Sequence, residues 1–168
     1  SANIKNSSTS TNENETGKGW VKGNKFYASF GDNTIISNGL KTWTIVKEEK
    51  SVYESDANEE DSEAINPRKL MTIWESGFKN KYSKESTHNG ESVHVIYLYP
   101  KNPASVEYHT VILYISIAKN ELKKVILKTK EGTNMTYQLT NFQANPEVSD
   151  SKFVFSEKKY PGYTVIRD

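Results

Sequence analysis

The segment Ile65–Phe78 is the one convincing helix in a sequence whose other patterns are typical of β-strands. Asn66 is a good N-cap, Pro67 suits the first helical position, and Gly77 suits the position just past the end. At about 100° per residue its apolar side chains share a stripe roughly 160° wide, formed by Leu70, Met71, Ile73, Trp74 and Phe78. So wide a stripe must lie on an apolar surface, which the rest of the chain has to supply.

Pairs of turn residues divide the rest of the chain into about eleven predicted strands. Gly23-Asn24 and Asn38-Gly39 are typical two-residue hairpin turns. Short strands are predicted around these turns and also at Lys81–Glu85, Phe153–Phe155 and Tyr163–Ile166. Four longer strands are predicted at Ser92–Tyr99, Tyr108–Ala118, Leu122–Thr129 and Thr133–Phe142. Consecutive strands joined by short turns predict an antiparallel meander.

Alternation within the long strands indicates one strongly apolar face. In Tyr108–Ala118 that face would carry Val111, Leu113, Ile115 and Ile117. Several such strands predict a single curved antiparallel sheet with a concave apolar surface. One helix of about three turns cannot cover so many strands. Missing N-terminal residues, a second element or a ligand must therefore fill the rest of the concavity.

Composition narrows the class of protein. A length of 168 residues predicts one domain, and a net charge of +1 gives no support for a nucleic-acid partner. The absence of cysteine excludes disulfides, thiolate metal sites and a cysteine nucleophile. No apolar run is long enough to span a membrane, and no signal peptide is present. Residues 1–18 are predicted to form a polar, flexible strand and loop, with the loop over Asn6–Lys18.

No catalytic or metal site is indicated. The histidines, His88, His94 and His109, lack the spacing of metal ligands. The sequence contains no Gly-x-Ser-x-Gly motif and no glycine-rich phosphate loop. We therefore expect a protein that is not an enzyme and that uses neither a metal nor a cofactor.

An ordered set of segments gives a more specific indication. They are Lys18–Lys22, Phe26, Ile35–Trp43, Asn66-Pro67, Glu75–Phe78, Tyr137–Phe142 and Asp150–Phe155. In order and spacing they resemble the periplasmic outer-membrane lipoprotein carrier protein (LolA) family, in the form found in Bacteroidetes-like bacteria. The resemblance covers nearly the whole chain from about Lys18, and it rests on the ordered set because each motif alone is weak.

The resemblance implies an unclosed half β-barrel of about 11 strands, with a helical lid over the concave apolar face. It implies a monomeric periplasmic carrier that holds lipoprotein acyl chains in the cavity. Its partners would be an inner-membrane ATP-driven lipoprotein transporter and an outer-membrane receptor or membrane. The whole chain, residues 1–168, would be one carrier-like domain.

The residues expected to line the acyl-chain cavity and its lid are Phe26, Ala28, Phe30, Ile36, Trp43, Leu70, Met71, Ile73, Trp74, Phe78, Ile96, Leu98, Leu113, Tyr137 and Leu139. Two departures from the family stand out. The family's N-terminal helix has no counterpart in this sequence, and Gly23 replaces the arginine that anchors the family's lid. We therefore expect any lid to be held by other contacts.

Other functions are compatible with the same sequence. One is a lipid- or lipoprotein-sensing regulatory domain on the same half-barrel. Another is a β-domain with a closed core that binds protein and no lipid. An enzyme is the third, although no motif supports it. The volume and lining of the space beneath the predicted helix would distinguish a carrier from a closed core.

Overall fold

The computed structural model describes residues 2–6, 13–57, 74–75 and 77–167, and over these residues the chain is mainly β. It divides into two compact units. The first unit comprises Ser1–Thr16 and Met71–Phe142, and the second comprises Gly17–Leu70 and Gln143–Asp168. The described strands are β1 (Ala2–Asn6), β2 (Glu13–Lys22), β3 (Lys25–Phe30), β4 (Asn33–Ser37), β5 (Lys41–Val46), β6 (Ser51–Asp56), β7 (Phe78–His88), β8 (Glu91–Pro100), β9 (Tyr108–Ser116), β10 (Leu122–Thr129), β11 (Asn134–Leu139) and β12 (Thr164–Arg167).

In the first unit the strand order is β1-β11-β10-β9-β8-β7, and every pair is antiparallel. This order confirms the predicted meander of β8 to β11. Strand β7 is much longer than the predicted Lys81–Glu85, because its ladder with β8 runs from the pair Phe78–Pro100 to the pair His88–Glu91. Asn89 and Gly90 close this hairpin with positive φ angles of 49° and 79°, which suits a two-residue turn.

In the second unit, successive hairpins give the strand order β3-β4-β5-β6-β12, and the part of β2 that begins at Gly17 pairs with β3. Both predicted hairpin turns, at Gly23 and at Gly39, are confirmed, and both glycines have positive φ angles. Strand β12 is different, because it pairs with β6 in parallel. The expectation of a purely antiparallel sheet is therefore wrong at this edge.

Each unit has its own buried residues. In the first unit they include Val93, Val95, Leu98, Val111, Ile112, Leu113, Leu122, Val125, Leu127 and Tyr137. In the second they include Phe26, Ala28, Ile36, Trp43, Ile45, Val52 and Phe153. The two lists come almost wholly from strands, because alternating apolar side chains are the main source of core in a β-protein.

Several expectations from the sequence need correction. Most of the predicted helix lies outside the described residues, but Trp74 and Glu75 form a turn and Phe78 begins strand β7. No α-helix occurs in the described part of the chain, where the helices are three short 3-10 turns at Pro103–Ser105, Asp150–Phe153 and Glu157–Lys159. The twelve described strands slightly exceed the predicted number.

Two local assignments were also wrong. The segment predicted as strand Phe153–Phe155 forms no strand, because Phe153 ends the 3-10 turn Asp150–Phe153. The hydroxyl of Ser149 caps this turn by accepting a hydrogen bond from the Ser151 amide. This cap competes with strand geometry, as serine side chains commonly do. The predicted loop at Asn6–Lys18 gives way to β2 from Glu13 onward, because backbone pairing does not require apolar side chains.

Phe153 offers a test of the packing in the second unit. It is completely buried at the end of its 3-10 turn, beside β3, whereas its neighbour Val154 is largely exposed. We expect Phe153→Ala to lower the free energy of unfolding by about 3–5 kcal/mol, because it leaves a cavity. Val154→Ala should change it by less than about 1 kcal/mol. Urea unfolding of both variants measures the difference, and equal effects would contradict the described packing.

Candidate functional site

The first unit contains a continuous apolar sheet face, built by strand register. Residues directly opposite each other on paired strands point to the same side of a sheet. One row across β8, β9, β10 and β11 consists of Ile96, Leu113, Val125 and Tyr137. The next row consists of Leu98, Val111, Leu127 and Met135. We call this side, which also carries Ile115, Leu122 and Leu139, the apolar face.

The apolar face is shielded from water at its centre and less so at its margins. Leu98, Val111, Leu113, Val125 and Leu127 are no more than 2% exposed. Ile96, Ile115, Met135 and Leu139 are half-buried. The half-buried residues at the margin can contact an apolar ligand. They can also be substituted without leaving a cavity in the buried centre.

Polar groups on the apolar face are few along β8 to β11, although Glu85 of β7 points to the same side. The Tyr137 hydroxyl donates to the sulfur of Met135 at 3.7 Å, and burial raises the pKa of the Tyr137 phenol above its ordinary value, which is already well above physiological pH. His94 lies on the same side, and its buried Nδ1 atom has no hydrogen-bond partner among the described residues. Its ring meets the ring of Tyr82 edge-on at 5.6 Å. This face therefore suits hydrocarbon better than a polar ligand.

Five of the predicted cavity residues are brought together on this face. They are Ile96, Leu98, Leu113, Tyr137 and Leu139. Phe78 belongs to the same sheet but to the edge strand β7, where its ring stacks on Tyr108 at 6.2 Å. Trp74 lies in a turn and is 40% exposed. Leu70, Met71 and Ile73 lie outside the described residues.

The predicted cavity residues of the second unit fall on two opposite faces. Phe26, Ala28 and Phe30 point to one side of β3, and the first two are buried. Ile36 lies opposite Tyr27 and Trp43 in the ladder, so Ile36 and Trp43 point to the other side. The five residues therefore cannot line one surface. The sequence alone did not indicate to which side of the sheet Ile36 of β4 and Trp43 of β5 point.

The face that carries Ile36 and Trp43 is covered by the C-terminal segment. Phe155 stacks on Trp43 at 6.1 Å and on Tyr160 at 5.5 Å, and Tyr160 meets Tyr163 edge-on. With Ile45, Val52 and Val165 these rings complete a small core. The side chains of Ile36 and Trp43 thus pack against other parts of the protein, so they are not part of the candidate ligand surface.

Charged contacts fasten this segment to the sheet. Asp150 accepts from Lys22 at 2.9 Å and lies 3.4 Å from Lys25. The ammonium of Lys152 lies over the rings of Trp20 and Tyr27, at 4.0 and 4.2 Å from their centroids. These contacts are exposed or half-exposed, so each contributes modestly, and the aromatic core carries most of the attachment.

Glu54 is the most connected carboxylate of the second unit. It accepts from Lys41 Nζ at 2.6 Å and from Trp43 Nε1 at 3.0 Å, and Arg167 Nε lies 3.5 Å away. The hydrogen bonds from Lys41 and Trp43 lower the pKa of Glu54 below its ordinary value. Glu54 thus orients a ring that belongs to the core.

The described residues hold no cluster of three or more histidine and acidic side chains that would bind a metal ion. In the same part of the chain, none of the helices has the length and apolarity needed to cross a membrane. The aromatic cluster at Phe155, Tyr160 and Tyr163 was missed from the sequence, although its density of rings in a short segment was a visible signal. Val125 and Leu127 were also missed as members of the candidate ligand surface.

Comparisons with known proteins agree with this architecture. A family model described as outer membrane lipoprotein carrier protein LolA matches residues 1–133. Among solved structures, an uncharacterized conserved protein from Thermus thermophilus is 12% identical, with a TM-score of 0.60, and the match covers 99% of this chain and 88% of that chain. This likeness shows a shared fold. A search of curated proteins gives no match.

Two further structures are more distant. A DUF1329 family protein from Desulfovibrio piger is 12% identical, with a TM-score of 0.49 and coverage of 95% of this chain and 89% of that chain. A LolA superfamily protein from Nitrosomonas europaea is 10% identical, with a TM-score of 0.44 and coverage of 92% of this chain and 88% of that chain.

The Glu54 contacts predict a pH dependence of stability. A carboxyl group with a lowered folded-state pKa stabilises the fold above its unfolded-state pKa, and the contribution is lost as pH falls through the folded-state value. We expect Glu54→Gln to be less stable than the wild type near neutral pH, with a difference that narrows below about pH 4.5. Urea unfolding at a series of pH values measures this difference.

A matched control is Glu131→Gln, since Glu131 lies in an exposed turn and has no ion-pair partner within the described ranges. For this variant the difference from the wild type should stay small at every pH. A Glu54→Gln difference that widens on acidification would contradict the stated role of Lys41 and Trp43.

Proposed function

This chain belongs to the family of outer membrane lipoprotein carrier proteins (LolA), and from that membership we propose that it carries the acyl chains of lipoproteins. In the proposed cycle it takes them from the inner membrane and delivers them to the outer membrane through the periplasm. The observation that carries the proposal is the apolar face of the first unit, with two in-register apolar rows across four strands. A hydrocarbon chain suits such a surface because it needs burial and no directional polar contact.

The free energies of transferring an acyl chain support a carrier over a permanent lipid store. An acyl chain of about 15 methylenes gains roughly 12 kcal/mol when it leaves water for an apolar site. A bilayer offers nearly the same gain, so moving the chain between membrane and protein involves a small net free energy. The protein can therefore release its cargo, but extraction from a membrane needs an energy source. An ATP-driven transporter in the inner membrane is the partner that we propose for this step.

Loading must replace existing contacts. Leu98 and Leu113 are already almost completely buried, so an incoming chain exchanges one apolar neighbour for another. We propose that the apolar segment preceding β7 acts as the displaceable lid of an unclosed half-barrel. Phe78 is excluded from that lid because it is fixed in the β7–β8 ladder. Burial of the other four apolar side chains of that segment, Leu70, Met71, Ile73 and Trp74, would contribute roughly 6–12 kcal/mol as an upper bound, which is similar to the gain from the acyl chain.

The remaining elements of the proposal follow from family membership. The protein would act as a monomer in the periplasm and deliver cargo to an outer-membrane receptor or to the membrane itself. A sensing domain would share the lipid site but not the delivery step. Transfer of a labelled lipoprotein from transporter-containing vesicles to acceptor membranes therefore separates the two functions, and binding without transfer would favour sensing.

Ile96 and Ile126 give a matched pair for testing the lipid surface. Both are half-buried isoleucines in the same sheet, but Ile96 lies on the apolar face and Ile126 on the opposite face. Titration with a fluorescent C16 fatty acid should show that Ile96→Ser weakens binding about fivefold, since about 1 kcal/mol of apolar contact is lost. Ile126→Ser should leave the affinity within about twofold.

Circular dichroism would verify that both serine variants are folded. Equal losses of affinity in the two variants would assign binding to some other part of the protein. A wild-type protein that binds no acyl chain saturably, with the fold intact, would overturn the carrier proposal.

A further inference from the structure

The side of the first unit's sheet opposite the apolar face is strongly basic. It carries Lys79, Lys81 and Lys84 on β7, and Lys124 and Lys128 on β10. One row across β7, β8, β9 and β10 consists of Lys84, Val95, Tyr114 and Lys124. Lys81 begins the neighbouring row, opposite Tyr97. We call this side of β7–β10 the basic face.

Tyrosines and buried aliphatic residues share the middle of the basic face, where Val93, Val95 and Ile112 are at most 4% exposed. Tyr97 and Tyr99 on β8 stack with ring centroids 6.4 Å apart, and Tyr114 lies on β9. The ammonium of Lys124 lies 3.8 Å from the centroid of the Tyr114 ring. Strands are about 4.8 Å apart, so the lysines of β7 and β10 border a strip of tyrosines about 14 Å wide. Tyr99 is 40% exposed at the margin of this strip.

The charge on this face is unbalanced. None of the five lysines has a carboxylate at ion-pair distance within the part of the chain that the structure describes. Glu91, the acidic residue of β8 on this face, contacts a different lysine: its Oε2 atom lies 3.3 Å from Nζ of Lys123. The same Nζ atom lies 2.9 Å from Oε2 of Glu121. Glu85 of β7 pairs with His94 in the ladder and therefore points to the apolar face.

Protection of a sheet edge does not account for this pattern. Lysines on an edge strand such as β7 often prevent pairing with another chain. Strand β10, however, is paired on both sides, and it places Lys124 and Lys128 on the same face. A bulge between Tyr82 and Lys84 also moves Lys84 to the side of Lys79 and Lys81. An ordinary solvated face would mix both signs of charge.

We propose that the basic face docks the protein on the surface of a bilayer that contains anionic lipids. Lysines attracted by acidic headgroups, with tyrosines at the level of the membrane interface, are the combination expected for such a surface. The strip is broad and sheet-like, which suits a plane of headgroups better than a single phosphate. This proposal goes beyond acyl-chain carriage and stands on residues of the opposite face, so either can fail without the other.

Sedimentation with vesicles at low ionic strength tests the proposal. The full chain should bind vesicles of phosphatidylglycerol and phosphatidylcholine but not vesicles of phosphatidylcholine alone, and about 0.5 M NaCl should release it. Each lysine near an anionic surface contributes about a fivefold gain in partitioning. The triple variant Lys79→Gln, Lys81→Gln, Lys84→Gln should therefore bind about a hundredfold more weakly.

The matched control is Lys18→Gln, Lys158→Gln, Lys159→Gln, which changes three exposed lysines of the second unit and lowers the net charge from +1 by the same amount. It should bind nearly as well as the wild type. Tyr99→Ser should weaken binding severalfold without changing the salt dependence. These side chains are exposed, and circular dichroism would verify folding.

Three results would overturn the proposal. The first is equal loss of vesicle binding in the two triple variants, which would indicate a general effect of charge. The second is equal binding to vesicles with and without anionic lipid. The third is a lysine-dependent complex with an acidic peptide or an oligonucleotide, together with no binding to anionic vesicles, which would assign the face to a different polyanion.

Discussion

The register between β9 and β10 is the constraint on which the first unit depends. It sets Leu113 opposite Val125 and Val111 opposite Leu127, and it thereby keeps Lys124 and Lys128 of β10 off the side that carries these four residues. A shift by one residue would place Lys124 and Lys128 on that side and expose the valine and leucines. Both the apolar face and the basic face therefore follow from one pairing, and neither could change without the other.

Much of this pairing could be predicted from the sequence. Alternation in β8 and β9 and the short turns between the long strands gave the meander, and the apolar side of β9 was assigned correctly at Val111, Leu113 and Ile115. The family was also evident from ordered motifs, and the family model confirms it. These signals are local, because a hairpin strand meets its neighbour after a few residues and the pattern repeats with period two.

Contacts between distant parts of the chain could not be predicted in the same way. Nothing near Ile36 or Trp43 indicates that Phe155, more than a hundred residues later, covers them. Strands β4 and β5, which carry Ile36 and Trp43, have apolar residues on each side, so alternation did not identify the side that a ligand would contact. The parallel pairing of β12 with β6 is similar, because four residues of edge strand carry no signal for direction.

Two of the register shifts in the first unit show how a small irregularity in strand pairing decides which side of the sheet a charged residue occupies. Between Leu122 and Lys124 the register shifts, so Leu122 and Val125 share the apolar face while Lys124 points away. Between Tyr82 and Lys84 a second shift sends Lys84 to the same side as Lys124. Without these extra residues, strict alternation would bury a lysine against aliphatic side chains, at a large desolvation cost. The bulges therefore keep these lysines away from the aliphatic centre of the apolar face and place them on the other side of the sheet. That side can meet a charged surface while the apolar face holds an apolar ligand.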